Sequence, residues 1–438
     1  MPGAKNFLKI PRISTTFPRI IIRTLSTKPI GNLKSTLEIN RRVYQPDQWT
    51  NVNPRILSFL ERRIHVQEHH PLSIVRQRIV KFFGEKYRNS KGNPLFSTHD
   101  SLSPIVSVEQ NFDSLLIPKD HPSREKSQSY YLNREFMLRA HTTVHQAELI
   151  TAGLDNFLVV GDVYRRDEIN STHYPVFHQL DAVRIHTKKS LFGELDLQVM
   201  EENPPALEES THQSYHTLEA VKLTEQELKD TLVGLVKSLF GQKVKYRWVT
   251  TTFPFTHPSW ELEIFHRDEW LEVLGCGIMR HEILRRCGHE NAIGYAFGLG
   301  LERLAMALFQ IPDIRLFWSR DSGFLNQFHN DMPPGKIYKP VSLYPQCSND
   351  LSFWLPGTSS PDSFDSNDLY DEVRSVGGDM VEQVHLHDQF THPKTGRTSL
   401  CFRIIYRHME KTLTQAEVND IHEKIGKTLV EKFSVEIR

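Results

Sequence analysis

The stretch VYRRDEINSTHYPVFHQLDAVRI, residues 163–185, begins and ends like a β-strand and is interrupted by a polar loop. Successive side chains of a strand point to opposite faces, so residues two apart share a face. Arg165 and Asp167 therefore share a face in the first half, and Gln179 and Asp181 share one in the second. If the halves pair as a hairpin, a guanidinium, carboxylates and an amide converge on one sheet surface. That surface suits a ligand with phosphate and amino groups, because a fixed guanidinium binds phosphate through paired hydrogen bonds. A solvated, salt-bridged hairpin is the alternative.

Two further segments accompany this hairpin. Upstream, HHPLSIVRQRIVKFF (69–83) has apolar residues at helical spacing, and Pro71 suits the first turn of a helix. Downstream, GLGLERLAM (298–306) places Arg303 on a helix directly after closely packing glycines. Each motif alone is weak. The ordered set of a Pro-led helix, an Arg-x-Asp hairpin and a Gly-x-Gly-x-Glu-Arg helix is specific.

The pattern of strands and helices predicts an α+β chain with two domains. PRILSFLERRIH reads as an early helix, TEQELKDTLVGLVKSLFG predicts a later helix capped by Thr224, and residues 244–300 alternate like antiparallel strands. Between them, residues 186–216 are polar, rich in Glu and His, and look like an excursion from the core. We expect this domain to span residues 54–329, followed by a Pro-, Gly- and Lys-containing linker, residues 330–340.

The last part of the chain, residues 341–438, has its own order of elements. It reads strand, helix, strand, strand, helix, strand, which is the ferredoxin-like arrangement, and its first helix is predicted to be capped by Ser366. We therefore expect a second domain with the ferredoxin-like fold.

The N-terminus has the composition of a mitochondrial transit peptide. The first 28 residues contain six Lys or Arg residues, and no acidic residue precedes Glu38. We expect residues 1–28 to be a presequence and residues 29–53 a connector; a disordered basic tail is the alternative. Residues 17–25 are too short and too interrupted by Arg to span a bilayer, so no membrane association is expected.

Bulk composition limits the classes of partner and site. Lys plus Arg and Asp plus Glu number 53 each among 438 residues, so a nucleic-acid partner must be held by a local basic surface. Four scattered cysteines exclude a disulfide framework and favour a reducing compartment. A zinc set of Cys276, His281, Cys287 and His289 is conceivable, but its spacing fits no zinc finger or ribbon.

The three ordered segments resemble motifs 1, 2 and 3 of the class II aminoacyl-tRNA synthetases. Eight shorter sequence segments resemble the phenylalanine-specific branch in its single-chain mitochondrial form: NFDSLLIPKDHPSR, MLRAHTT, GDVYRRD, FHQLDAV, FPFTHPS, WLEVLGCG, AFGLGLERLAM and DIRLFW. SFWL, VGGD and HPKTGRTSLCFRIIYRHMEKTLTQAEVN resemble the ferredoxin-fold anticodon-binding domain of the same enzymes. The likeness runs from about residue 50 to the C-terminus.

This resemblance implies a class II antiparallel-sheet catalytic domain, the C-terminal anticodon-binding domain, and a two-step reaction. Phenylalanine and ATP would give phenylalanyl-adenylate, and the acyl group would pass to the 3′ end of tRNA(Phe) in the mitochondrial matrix. The implied cosubstrate and cofactor are ATP and Mg²⁺, and the mitochondrial branch resembles a monomer. No side chain need act as a general base, because the attacking carboxylate is already ionised.

The resemblance also assigns roles around ATP. Arg165 would contact the α-phosphate and the attacking carboxylate, and Arg303 would hold the γ-phosphate of a bent ATP. Asp167 would accept a hydrogen bond from the adenine amino group. Glu272, in WLEVLGCG, is the expected Mg²⁺ ligand, since hard oxygen donors suit that ion; a strand-surface carboxylate is the alternative.

For the amino acid, the resemblance implies an aromatic pocket with a polar end. Phe253 and Phe255 would line the phenyl pocket and Ala296 would lie near the para carbon of the ring, although two strand aromatics are more often core. The substrate's ammonium and carboxylate groups would be oriented by His141, Thr142, Thr143, Gln179 and Asp181. Asp181 stands where the family more often has Glu, one methylene longer, so its contact with the amine is open. Since an apolar pocket rejects an added hydroxyl only ~10²-fold, we expect tyrosine to be misactivated and, without a segment long enough for editing, not removed.

The tRNA would be held by the C-terminal domain. The expected contacts lie in or near its second hairpin and comprise Arg397, Arg403, Arg407 and Lys411. A solvated strand edge is the alternative, and Asn349 replaces a more usual basic residue. Two rival functions remain: an enzyme of the same fold that activates another acid, and a non-catalytic RNA-binding paralogue. The segment Phe-Pro-Phe (253–255) together with Ala296 argues against the first alternative. The presence of both Arg165 and Arg303 argues against the second.

Overall fold

A computed structural model describes residues 23–25, 36–60, 62–206, 208–319, 322–329, 335–340, 344–357 and 364–438. Most of the predicted presequence, the first seven residues of the predicted connector and five of the eleven residues of the predicted linker lie outside these residues. In the described part of the chain, no helix is both long and apolar enough to cross a membrane.

Strands of the N-terminal part form three sheets. Their bounds are β1 Arg23–Leu25, β2 Thr36–Ile39, β3 Arg42–Tyr44, β4 Ser97–His99, β5 Ile105–Ser107, β6 Phe136–Leu138, β7 Asn156–Tyr164, β8 Val176–His186, β9 Tyr246–Phe253, β10 Thr256–His266, β11 Glu269–Met279 and β12 Ile293–Gly300. The main sheet has the order β4-β7-β8-β12-β11-β10-β9, and only β4 and β7 are parallel. A small sheet β1-β2-β3 and the pair β5-β6 complete the set.

The N-terminal part has nine described α-helices, of which the three longest cover one face of the main sheet. Their bounds are α1 Pro54–Leu57, α2 Pro71–Lys86, α3 Val108–Asn111, α4 Gln146–Thr151, α5 Lys188–Phe192, α6 Leu218–Phe240, α7 His281–Arg286, α8 Leu301–Phe309 and α9 Ser322–Leu325. Apolar residues of α2, α6 and α8 share one buried core with this face. The opposite face carries a cavity over the middle strands.

The hairpin predicted from residues 163–185 is present. β7 and β8 pair antiparallel, with Val163 opposite Phe177 and Gly161 opposite Gln179. The ladder continues beyond β7, because the backbone N–H of Arg165 donates to the carbonyl of Pro175 at 3.0 Å. The α+β prediction is confirmed, with β8 next to β12, the central strand of the main sheet.

Two predicted helices differ in the structure, the first in its length and the second in its start. PRILSFLERRIH forms only the short α1 and a later 3-10 turn, since Arg63 adopts a left-handed backbone conformation (φ 37°) that interrupts a helix. α6 begins at Leu218 with Thr217 as its N-cap. Thr224, the predicted cap, lies inside α6 and donates its hydroxyl to the carbonyl of Ala220 at 2.7 Å. A Thr within a helix can satisfy its hydroxyl in this way, so a threonine followed by a helical pattern does not by itself mark the start of the helix.

The C-terminal domain has the predicted ferredoxin-like order. Its elements are β13 Cys347–Trp354, α10 Ser366–Gly377, β14 Val381–Thr391, β15 Thr398–Tyr406, α11 Gln415–Phe433 and β16 Glu436–Ile437. The sheet order is β14-β15-β13-β16, all antiparallel. α10 is capped by Asp365, not by the predicted Ser366, which becomes its first helical residue. The adjacent carboxylate accepts from the N–H of Asn367 at 2.9 Å and so satisfies the helix start.

This domain docks on the loop between β7 and β8. Ile169 of that loop belongs to the core of the C-terminal domain, and its carbonyl accepts from the N–H of Val384 at 3.0 Å. Arg374 donates to the carbonyls of Asp167 and Glu168, each at 3.0 Å. The loop that carries part of the predicted site is therefore held from both domains.

Candidate active site

Two adjoining cavities lie on the open face of the main sheet. Their volumes are about 580 Å³ and about 780 Å³. Five residues line both: Arg165, Asp167, Gln179, Glu272 and Gly298. The structure thus brings the predicted site residues from β7, β8, β11 and β12 to one place, where two compartments share a polar wall.

Glycines make room for the smaller compartment. A Cβ at Gly275 would lie 2.8 Å from the ring of Phe253, and a Cβ at Gly298 would lie 2.8 Å from a carboxylate oxygen of Asp181. Gly275 and Gly298 face each other across β11 and β12. Because neither bears a side chain, an aromatic ring and a carboxylate can lie directly over the sheet.

The smaller compartment has an aromatic end. The rings of Phe253 and Phe255 stack with centroids 5.8 Å apart and an interplanar angle of 5°. Both line the cavity, together with Ala296 of β12, which is 4% exposed and lies opposite Val183 of β8. This arrangement forms a flat apolar slot of the kind that accepts an aromatic ring.

The same compartment has a polar end with unused hydrogen-bonding atoms. Within the described part of the chain, neither ring nitrogen of His141 makes a hydrogen bond of ordinary geometry, and Oε1 of Gln179 also lacks a partner. Burial, with Arg165 nearby, lowers the pKa of His141 to about 3, so its imidazole is neutral near pH 7. Buried polar atoms usually have partners, so these atoms indicate a place for a polar ligand group.

Asp181 forms the floor between these two ends. Its carboxylate oxygens accept from Thr142 Oγ1 at 2.8 Å and from Thr143 Oγ1 at 2.5 Å. Burial raises the pKa of Asp181 to about 6, although both hydroxyls and the Arg165 guanidinium oppose the rise. The carboxylate is therefore ionised at neutral pH but costs the folded protein free energy.

Replacing this carboxylate should make stability less dependent on pH. In the unfolded chain the pKa of Asp181 is near its ordinary value of 3.8, and in the folded chain it is about 6. Between these values only the folded state holds the proton, so this group's contribution to stability falls as the pH rises and stays low above pH 6. In Asp181→Asn the free energy of unfolding should rise relative to the parent by about 2 kcal/mol between pH 4 and pH 7. Urea unfolding at the two pH values measures this difference, and a difference that does not change with pH would contradict it.

The larger compartment has two arginines. Arg165 donates Nε to the carbonyl of Ala140 at 2.8 Å, and its guanidinium carbon lies 5.2 Å from the ring centroid of Phe177. Arg303, half-exposed on α8, donates to a carboxylate oxygen of Glu272 at 3.0 Å. Both guanidinium groups line the cavity, so positive charge from two separate segments faces one space.

A buried pair fixes the helix that carries Arg303. Glu302, 3% exposed, accepts from the backbone N–H of His178 at 2.8 Å and from its Nδ1 at 2.7 Å. Because consecutive residues of a helix point in different directions, Glu302 anchors α8 to β8 while Arg303 faces the cavity.

The sequence prediction did not include several of these residues. Phe177 could have been found, since it shares a strand face with Gln179 and Asp181. The pairing of His178 with Glu302 joins residues 124 positions apart and left no local signal.

Possible metal ligands lie near the larger compartment. In the described residues, one group has the spacing of a metal site: Asp167, Glu168 and His173. Its three members are not deeply buried, and such acidic groups are common on surfaces without an ion. Glu272 lies between the compartments, with one carboxylate oxygen on Arg303. A hard oxygen donor is thus available beside the arginines, which suits Mg²⁺.

The four predicted tRNA contacts have acidic partners within the C-terminal domain. The pairs are Arg397 with Glu436 at 2.7 Å, Arg403 with Asp350 at 2.7 Å, Arg407 with Glu382 at 3.4 Å and Lys411 with Glu417 at 2.5 Å. Arg403 lies on the sheet face opposite the helices, since its neighbours Phe402 and Ile404 point into the core. The carbonyl of Arg407 accepts from Arg315 of the N-terminal domain at 3.1 Å, so this residue lies at the domain interface.

Comparison with known proteins identifies both domains. Residues 56–201 and 206–328 match the family model for the class II core domain (F) of tRNA synthetases, and residues 342–438 match the ferredoxin-fold anticodon binding domain. A Drosophila melanogaster protein named probable phenylalanine–tRNA ligase, mitochondrial, is 62% identical over 418 residues, covering 92% of each chain. The Mus musculus mitochondrial phenylalanine–tRNA ligase is 52% identical, covering 95% of this chain and 93% of its own, and the Saccharomyces cerevisiae one is 40% identical, covering 92% and 95%.

The first of these family models alone spans more than half of the chain, and the relatives cover nearly all of it. The cavity on the main sheet, with its paired arginines and aromatic slot, lies inside the matched core region. The chain therefore belongs to the phenylalanine-type class II tRNA synthetases, the family of the mitochondrial phenylalanine–tRNA ligases.

Proposed function

We propose that the chain attaches phenylalanine to mitochondrial tRNA(Phe) in two steps. In the first, the carboxylate of phenylalanine attacks the α-phosphate of ATP, the bond to the β-phosphate breaks, and phenylalanyl-adenylate and pyrophosphate form. In the second, a hydroxyl at the 3′ end of the tRNA attacks the acyl carbon and AMP leaves. The observation that carries this proposal is the pair of adjoining compartments, one aromatic and one lined by Arg165 and Arg303.

The first step brings two anions together, so it needs positive charge at the reacting phosphorus. Arg165 lies on the wall that the two compartments share, where the amino-acid carboxylate and the α-phosphate would meet. Arg303 lines only the larger compartment and would hold the terminal phosphates. Fixed guanidinium groups bind phosphate oxygens through paired hydrogen bonds and need no proton transfer.

The adenine base would lie on the ring of Phe177. An aromatic face beside a guanidinium, as Phe177 has beside Arg165, is a favourable stacking surface for a base. Asp167 lines the same cavity and would accept a hydrogen bond from the amino group of adenine. Glu272 would hold Mg²⁺, which supplies positive charge against the phosphate oxygens when it is bound.

The amino acid would lie in the smaller compartment. Its ring would enter the slot of Phe253, Phe255 and Ala296. Its ammonium would meet the unpartnered oxygen of Gln179 and the carboxylate of Asp181, which keeps its negative charge at neutral pH. His141, Thr142 and Thr143 complete the polar end; His141 contributes a neutral hydrogen-bonding ring, and the two threonines hold Asp181.

The relatives are named as mitochondrial enzymes. We place this chain in the mitochondrial matrix, with residues 1–28 as its presequence and 29–53 as a connector. The catalytic domain would span 54–329 and the anticodon-binding domain 341–438, with 330–340 between them. The class II core would act within one monomer, because apolar residues of α2 are already buried within the same chain.

Pyrophosphate exchange tests the proposed function. Purified protein with ATP and a panel of amino acids should exchange labelled pyrophosphate into ATP with phenylalanine, much more weakly with tyrosine, and not with unrelated amino acids. Addition of mitochondrial tRNA(Phe) transcript should yield phenylalanyl-tRNA. Exchange with a different amino acid would identify another acid as the substrate, and ATP binding without any exchange would indicate a non-catalytic RNA-binding protein.

A partly exposed aromatic cluster on the C-terminal sheet is a candidate surface for the anticodon. The guanidinium groups of Arg397 and Arg438 lie 5.4 and 5.5 Å from the ring centroid of Trp354. Phe390, 41% exposed, packs edge-on against Trp354 at 6.2 Å. Aromatic rings flanked by cations bind unpaired bases by stacking.

Trp354→Ala should therefore weaken tRNA use without affecting adenylate formation. Loss of one stacking platform should raise the KM for tRNA about ten- to a hundred-fold, since stacking contributes ~1–3 kcal/mol per base. Phe265→Ala is the control, because Phe265 is likewise a ring beside a cation, Lys245, and is accessible to solvent, but it lies on the catalytic domain. Steady-state charging and tRNA-free pyrophosphate exchange separate the effects. An unchanged KM for tRNA in Trp354→Ala would remove this ring from the tRNA surface.

A further inference from the structure

The segment of residues 208–216, here called the strap, reaches the back of the aromatic slot. Its Gln213 is 2% exposed. The Nε2 group of Gln213 donates to the carbonyls of His257 at 2.8 Å and Met279 at 2.9 Å, and Oε1 accepts from the N–H of His281 at 2.8 Å. One buried amide thus uses both of its donor hydrogens and its oxygen to join the β9–β10 turn region to the end of β11.

Two further contacts fasten the strap to the same region. Glu208 accepts from Nη1 of Arg280 with both carboxylate oxygens, at 2.6 and 2.7 Å. The backbone N–H of Arg280 in turn donates to the carbonyl of Phe255 at 3.0 Å. His257 donates its Nε2–H to the carbonyl of Glu209 at 2.7 Å. The strap therefore reaches the turn that carries Phe255 through three of its own residues.

The C-terminal end of the strap is fixed as well. The N–H of Glu201 donates to the carbonyl of Tyr215 at 2.9 Å, and the N–H of Thr217 donates to the carbonyl of Val199 at 3.0 Å, directly before α6. The ring of Tyr215 lies 4.9 Å from that of His281. Because the strap is fixed next to the long helix α6 at one end, it can hold the β9–β10 turn, which it contacts at its other end, in a defined position.

The turn between β9 and β10 needs such support. It carries both slot rings, Phe253 at the end of β9 and Phe255 just before β10. Phe253 pairs with Thr256 at the turn, but the register then shifts between Thr256 and Ser259, so the turn is separated from the regular part of the ladder. The bonds from Gln213 reach the carbonyl of His257 within this irregular stretch.

We propose that Gln213 is a positioning residue for the amino-acid pocket, and that the strap sets the width of the aromatic slot and hence the selection of phenylalanine. The inference rests on the proposed function and adds a determinant that touches neither substrate. Without Gln213, the carbonyls of His257 and Met279 would lose a buried donor, and the turn would settle elsewhere. Displacement of about 1 Å at a substrate-positioning element changes rates up to about a hundred-fold.

The test is Gln213→Met in the full-length chain, which preserves side-chain length and removes all three hydrogen bonds. The KM for phenylalanine in pyrophosphate exchange should rise about ten- to a hundred-fold. The KM for ATP should stay within about two-fold, and the preference for phenylalanine over tyrosine should fall. A merely structural role would lower the active fraction, and with it kcat, without changing KM or selectivity.

Gln327→Met is the matched control. Gln327 makes the same three kinds of bond, donating to the carbonyls of Gly323 at 2.8 Å and Lys339 at 2.9 Å and accepting from the N–H of Lys339 at 2.9 Å, but it lies outside both compartments. This control should retain the parent KM for phenylalanine. Equal KM values and selectivity for parent and Gln213→Met would overturn the proposal.

If Gln213→Met unfolds at a much lower temperature than the control, the variant Glu208→Gln is used to test the proposal instead. Glu208 is exposed, so its neutralisation should leave the fold intact while it removes the ion pair and one of the two acceptor oxygens that hold Arg280 to the strap. A KM for phenylalanine raised in the same direction supports the proposal, and an unchanged KM overturns it. A parent protein with no phenylalanine-dependent exchange would instead refute the proposed function, which keeps the two failures apart.

Discussion

Replacing Arg165 by alanine is expected to slow formation of phenylalanyl-adenylate at least about a hundred-fold. The guanidinium lies on the wall shared by the two compartments, where the carboxylate and the phosphorus must meet. Its Nε is held by the carbonyl of Ala140 at 2.8 Å, so the group is in place before the substrates bind. Loss of one preorganised charge contact costs about 3–4 kcal/mol of transition-state stabilisation.

Arg165→Lys should recover only part of this loss. An ammonium group keeps the positive charge. It lacks the planar set of N–H donors with which a guanidinium can bind the carbonyl of Ala140 and a phosphate oxygen at the same time. We therefore expect kcat of pyrophosphate exchange to rank parent, then Arg165→Lys, then Arg165→Ala, with the largest change in kcat/KM for ATP.

The neighbouring Arg166 offers a control for this experiment. It is buried and borders the smaller cavity, but its guanidinium donates to the carbonyl of Lys126 at 2.8 Å and pairs with Asp368 of the C-terminal domain at 2.8 Å. Arg166→Gln should weaken the docking of the two domains and leave tRNA-free exchange within a few-fold of the parent. Near-normal exchange in Arg165→Ala, or equal losses in the Arg165 and Arg166 variants, would show that the charge at residue 165 has no specific role.

The hairpin that contains Arg165 was predictable because its signal is local. Period-two alternation fixed which side chains share a face, and the polar loop between the halves marked the turn. The observed register, with Gly161 opposite Gln179 and Val159 opposite Asp181, is the one that places both polar side chains on the cavity face. The same reasoning succeeded for α2, whose Pro71 occupies the first helical turn.

Helix starts were less predictable, since several turns offered equivalent chemistry. Both Thr217 and Thr224 can cap a helix, and only the packing of residues 218–223 onto the core decides between them. Likewise Asp365 and Ser366 are adjacent capping residues, and the structure uses the first. Local propensity ranks such alternatives too closely to separate them.

The supports of the site could not be read from the sequence at all. Glu302 contacts His178 across 124 positions, and Gln213 contacts Met279 across 66. These pairs depend on which strands become neighbours in the sheet. Local periodicity describes residues a few positions apart and does not predict contacts between residues 66 or 124 positions apart. The polar composition of residues 186–216 predicts an excursion from the core, and nothing in it distinguishes the one glutamine that is buried, Gln213.

Enlarging Ala296 is expected to abolish phenylalanine activation while ATP binding persists. Ala296 lies on β12, opposite Gly277 of β11 and Val183 of β8, and lines the slot beside the rings of Phe253 and Phe255. In Ala296→Val two methyl groups would occupy volume that the substrate ring needs. One methylene in such a pocket is worth ~10–200-fold, so we expect kcat/KM for phenylalanine to fall at least about a hundred-fold.

Ala292→Val separates occlusion of the slot from general overpacking. Ala292 is 3% exposed against 4% for Ala296, and both belong to the same apolar cluster, but Ala292 does not line the cavity. Added methyl groups at either position should cost comparable stability, about 1–3 kcal/mol. Only Ala296→Val should lose exchange with phenylalanine, and calorimetry should detect ATP binding in both variants.

The opposite change should widen what the enzyme accepts. Ala296→Gly removes the methyl group and should admit para-substituted phenylalanines, such as the para-chloro compound, that the parent excludes by contact. Removal of a group worth ~10–200-fold predicts that the ratio of kcat/KM values for para-chlorophenylalanine and phenylalanine rises by about that factor. Exchange assays with both amino acids give this ratio directly. If Val and Gly at position 296 shift the ratio in the same direction, the para position of the ring does not lie against this residue, and the substrate must enter the slot in another orientation.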